Sequence, residues 1–178
     1  MAERHTGPMN FVDKAMDKIG GMLGKTKASG TDDAGEFVEN AAIGNAYELK
    51  AAHIAKQRTQ NQQVREFAEQ MIADHEHAKN ELQSTLTTHP DAPNTPDGLD
   101  SRREQMVEHL EKAPDEEFDA RYAEQQDLAH QETVKLFESY ADEGGHAGLK
   151  RFAAQMLPTL REHLEKAQAL RSRLDGAH

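Results

Sequence analysis

The chain contains no cysteine. Disulfides, thiolate nucleophiles and thiolate metal ligands are therefore excluded, and any metal site must be built from histidine, carboxylate, tyrosine or water. Aromatic residues are scarce at 5%, and hydrophobic residues reach only 36% of the 178, with alanine supplying much of the apolar surface. Such a core suits closely packed helices better than a sandwich. Basic residues are outnumbered, 21 Lys and Arg against 32 Asp and Glu, for a formal charge of −11. That field repels phosphate backbones and anionic lipid, so nucleic acid and acidic membrane surfaces are not expected partners. No run approaches the roughly 18 to 20 apolar residues of a membrane span. Met1 to Asn10 holds Glu3, Arg4 and His5 and leads into a polar segment, unlike a secretory signal, so the cytoplasm is the expected location, or the periplasm if a leader is missing. No glycine-rich phosphate loop and no Ser, His, acid arrangement appears.

What is present is helical periodicity. Residues 1–35 read as an appendage: an amphipathic helix from Asn10 to Leu23, with Phe11, Val12, Ala15, Met16 and Ile19 on one side, followed by a Gly-, Ser- and Thr-containing linker. This helix is a candidate for docking on a bundle edge, on a protein partner or second subunit, or on a membrane surface, with protein favoured because Lys14, Lys18 and Lys25 are few for an interfacial anchor. Residues 36–178 form the main domain. Helices are expected from Glu36 to Arg58, Asn61 to Leu86, Pro114 to Ala141 and Ala147 to Leu174, with a lesser one from Asp100 to Lys112. Pro90, Pro93, Pro96 and Gly98 break the chain between the second and third long helices. Two hairpins joined by a long structured connection are the organisation of ferritin-like bundles, so the fold class is all-α, a ferritin-like four-helix bundle with a long crossover.

Each long helix carries one metal-capable residue on its apolar stripe. Glu48 interrupts Phe37, Ala41, Gly44, Ala51; His75 interrupts Val64, Phe67, Met71, Ala78, Leu82; His163 interrupts Met156, Leu160, Ala167, Leu170. His130 falls on Ala123, Val134, Phe137, Ala141, although Phe118, Tyr122, Ala129, Leu136 and Tyr140 form a competing stripe on the same helix. Counting about 1.5 Å per residue from each hairpin turn puts Glu48 and His75 within roughly 6 Å in depth, and His130 and His163 within roughly 5 Å. Imidazole with carboxylate suits zinc, iron or manganese. Asp127 can join His130 from the same face as an acid three residues before a histidine. Asp74 and Glu162, next to His75 and His163, sit about 100° around their helices and suit accepting a hydrogen bond from a neighbouring helix's imidazole. His5, His53, His89, His109, His146 and His178 read as surface residues, and Pro158 as a kink before His163.

Four segments, "FVENAAIGNAYELKAAHIA", "VREFAEQMIADHEHAKNEL", "FDARYAEQQDLAHQETVKLFE" and "LKRFAAQMLPTLREHLEKAQAL", extend over most of the chain from Glu36 to Leu170. Together with the Asp74, His75 pair and the run "LPTLREHL", they make the chain resemble a bacterial ferritin-like family, domain of unknown function 4142. The resemblance implies a four-helix ferritin-like fold with metal binding and no settled activity. Its members commonly carry an export signal, which is not seen here. The Glu-x-x-His pattern of di-iron ferritins is also absent, so ferroxidase and iron-storage chemistry are not carried over. Two functions follow as expectations. One is metal binding in stress-related metal handling or in redox chemistry with oxygen or peroxide, where Tyr122 serves as a donor near the site or simply as core. The other is a non-catalytic acidic interaction protein without metal, acting through Phe11 to Leu23, whose inward polar residues set helix register.

Overall fold

The computed structural model describes residues 32–176; the expected N-terminal amphipathic helix lies outside the described residues. Among the described residues the structure is five helices and no strand: α1 Ala34–Arg58, α2 Gln62–Thr88, α3 Ser101–Glu111, α4 Asp115–Glu143 and α5 Ala147–Asp175. Their ends follow local chemistry. Asp33 accepts from the Glu36 amide, Asn61 from Gln63 and Val64, and Asp100 from Arg103, each satisfying donors that a first turn leaves unpaired. Pro114 precedes α4, whose first turn carries Asp115, Glu116 and Glu117. Gly144 follows the last turn of α4, and nothing larger fits there: a Cβ would come within 2.4 Å of the Tyr140 carbonyl oxygen.

The four long helices pack as a helical bundle. α1 lies beside α2 and α4, and α5 lies beside the same two. Consecutive long helices α2 and α4 are thus not principal neighbours, and the connection between them, which carries α3 against α1 and α4, spans that separation. Arg58 at the end of α1 holds this corner. Its guanidinium donates to the Leu110, Glu111 and Ala113 carbonyls and to Asp115, and lies 4.4 Å from the centre of the Phe118 ring. It thereby occupies carbonyls that the C-terminus of α3 would otherwise leave open.

The competing stripes on α4 are both buried, since this helix is covered by α1, α5 and α3 together. α5 continues through Pro158, whose exposed position puts the missing amide hydrogen bond on the solvent side, where water can serve the freed carbonyl. The apolar core divides in two. One cluster gathers Tyr47, Ala51, Phe67, Met71, Met106 and Tyr122; the other gathers Phe37, Val38, Leu82, Phe137, Phe152 and Leu160. A polar layer lies between them in sequence along every long helix: Glu48 on α1, His75 on α2, His130 on α4 and His163 on α5, all buried.

Candidate metal centre

Helical spacing turns these four side chains inward, and packing brings three of them together. His75, His130 and His163 each offer a ring nitrogen within 4.8 Å of the others. The ring centres are 5.8, 5.5 and 5.4 Å apart. Imidazoles bound to one tetrahedral ion at 2.0–2.1 Å would have ring centres about 5 Å apart, so closing on an ion requires only small movements. Exposure is 4% for His75 and 1% for each of the others.

One nitrogen of every ring is committed to a protein acceptor. His75 Nδ1 lies 2.9 Å from the Asn45 side-chain oxygen, and Asn45 fixes its own orientation by donating through Nδ2 to the His75 carbonyl. His130 Nδ1 lies 2.9 Å from the Gln126 backbone carbonyl, one turn earlier. His163 Nε2 lies 2.8 Å from Asp74. Carbonyls and carboxylates only accept, so these three nitrogens carry the protons. In the neutral rings the opposite atoms, His75 Nε2, His130 Nε2 and His163 Nδ1, are then lone-pair donors. All three are buried without a protein hydrogen-bond partner. Burial, together with the other two rings, pulls the pKa of His75 well below its usual value. Burial and His130 bring that of His163 to about 4, against the opposing pull of Asp74. Both rings are consequently neutral, the form that binds metal.

Glu48 stands beside this trio. Its Oε2 accepts from Gln126 Nε2 at 2.7 Å; its Oε1 has no hydrogen-bond partner and lies 3.8 Å from His130 Nδ1. Desolvation raises its pKa, partly offset by His130 and Gln126. Tyr122 is also fully buried, with an unpartnered hydroxyl, and burial with the Glu48 charge pushes its pKa well up, so the phenol keeps its proton.

Asp127 goes elsewhere. Its carboxylate is buried against α5, where Arg171 binds it at 2.8 Å and Gln131 and Gln168 donate to its other oxygen. Both oxygens are occupied, and it is not among the residues that meet at the trio. Glu162 is exposed and paired with Lys166, so of the two acids beside the histidines only Asp74 reaches a neighbouring imidazole. His89 and His146 are half-buried rather than plain surface residues: their rings meet at 5.1 Å, and His146 caps α5 by accepting from the Leu149 amide. His53 is exposed.

Two site residues escape a reading based on hydrophobic stripes. Asn45 lies three residues before Glu48 and Gln126 four before His130, both at helical spacing. Asn45, beside Gly44 in the middle of α1, is a poor helix former in a place where propensity alone would select otherwise.

A cavity of about 240 Å³ adjoins the trio, with Glu48, His75 and His163 in its wall and the exposed residues His77, Gln155 and Thr159 at its outer end. No described helix is long and apolar enough to cross a membrane.

A family model described as "Domain of unknown function (DUF4142)" matches residues 22–170. The crystal structure of a DUF305 fragment from Deinococcus radiodurans resembles this fold with a TM-score of 0.68 at 19% sequence identity, covering 82% of this chain and 99% of that one. At that identity the likeness concerns the fold alone. No curated protein matches the chain.

Proposed function

The chain belongs to the DUF4142 family, whose description assigns no activity, and from the site itself we propose that it is a ferritin-like metal-binding bundle in which His75, His130 and His163 hold one divalent transition-metal ion. One observation carries this reading: three buried imidazoles have their far nitrogens tied to acceptors, while the three near nitrogens have no protein partner. An outer acceptor on each ring is how metal-binding histidines are oriented and held in one tautomer. An all-imidazole donor set favours zinc, iron or copper over manganese, which prefers oxygen. Glu48 is the carboxylate placed to compensate the charge of such an ion. When bound, the ion would supply Lewis acidity, or redox chemistry if it is iron or copper.

The rival reading, a polar layer that only sets helix register, draws support from the same outer hydrogen bonds. It leaves four buried polar atoms, one per long helix, without partners, and buried polar groups without partners cost about 1–3 kcal/mol each. The metal reading gives all of them a role.

Elemental analysis of untagged protein, prepared without chelator, tests the proposal against a His75→Ala, His163→Ala double variant of equal helicity. About one equivalent of transition metal in the parent and its loss in the variant is the expected result. A parent that is metal-free and takes up neither zinc, iron nor copper would overturn it.

A further inference from the structure

Gly44 is the residue whose presence packing does not explain. It lies inside α1, where glycine is unfavourable relative to alanine. Close helix approach is the usual reason to keep one, yet a Cβ built at Gly44 would meet only the Thr133 hydroxyl, at 3.9 Å, an ordinary contact. What a larger residue there would occupy is the cavity, whose wall includes Gly44 and Ala78 beside His75 and His163. The small side chains keep open a passage from the imidazoles to the surface at His77, Gln155 and Thr159.

We infer that this cavity is a binding site for a small exchangeable anion of a few heavy atoms that completes the coordination of the ion held by His75, His130 and His163. The inference rests on the metal-binding reading above and adds a ligand class to it. Three protein donors are the number that catalytic sites supply, leaving a further position for a solvent or substrate molecule, whereas structural sites close with four. The three donors are neutral, so, although the Glu48 and Asp74 carboxylates stand nearby, no anion from the protein binds the ion directly and a Lewis-basic anion gains most from the open position. The space suffices. A water occupies about 30 Å³ of liquid, so about 240 Å³ is ample for a small anion with some solvent. Phe137, Met156 and Leu160 supply the apolar part of its wall.

The test uses the full-length protein loaded with cobalt(II), whose visible spectrum reports its ligands, and azide as the probe anion. The expected result is a saturable azide-dependent spectral change in the parent. Gly44→Leu and, as a second cavity-filling variant, Ala78→Leu should retain one equivalent of cobalt while their azide affinity falls at least tenfold. A cobalt-loaded parent that ignores azide, or filled variants that bind it as well as the parent, would overturn the anion site and leave the metal reading intact. A parent that takes up no cobalt, zinc, iron or copper would overturn both.

Discussion

His163 Nε2 and the Asp74 carboxylate meet at 2.8 Å across the α2–α5 interface, and the residue that follows Asp74 is His75. Adjacent positions on α2 thus divide the work: one side chain enters the polar layer and the other orients a histidine from the opposite hairpin. Asp74→Ala should preserve helicity but weaken metal binding by about 10- to 100-fold, the usual loss when an orienting carboxylate is removed. Competition titration against a chelator measures it, and an unchanged affinity would deny Asp74 this part.

The metal-free protein should lose stability on mild acidification. The pKa of His163 is about 4 in the fold against an ordinary value near 6.5, and that of His75 is also well lowered. Below about pH 6.5 the unfolded chain takes up protons that the folded one refuses, so stability falls as pH drops toward 4. His163 alone accounts for about 3 kcal/mol of this at 1.36 kcal/mol per unit. Glu48, with its raised pKa, acts in the opposite sense, since its unfavourable burial as a carboxylate eases when it takes up a proton. Urea unfolding at pH 7, 6 and 5 should show a declining midpoint, and His163→Gln should flatten the decline.

Glu48→Gln should change stability and metal binding in opposite directions. The metal-free fold buries a carboxylate oxygen with no hydrogen-bond partner, so neutralising the group should stabilise it by on the order of 1 kcal/mol. The same change removes a negative charge beside the imidazoles and should weaken metal binding. Thermal melts with and without metal separate the two effects; a variant less stable than the parent in the metal-free state would contradict the first.

Asp127→Ala should leave metal content unchanged. Its carboxylate serves Arg171, Gln131 and Gln168, and losing it should destabilise the fold by about 1–3 kcal/mol through those unpaired partners. Metal loss in a folded Asp127→Ala protein would place this residue back at the site.

The sequence by itself determined the helices and which positions face inward. Hydrophobic spacing, Asn61, Asp100 and Pro114 at helix starts, and Pro90, Pro93 and Pro96 in the connection are local signals, and the helices lie within about two residues of where those signals put them. Glu48, His75, His130 and His163 were legible because a polar residue on an apolar stripe needs no partner to be noticed. Which side chains meet was decided only by tertiary packing. Spacing along α4 makes Asp127 and His130 equally good neighbours, and only the position of Arg171 on α5 decides that Asp127 turns toward it. Likewise no pattern within α2 foretells that Asn45 of α1 will hold the His75 ring, because a hydrogen bond depends on a few tenths of an ångström between helices, and periodicity specifies faces rather than distances.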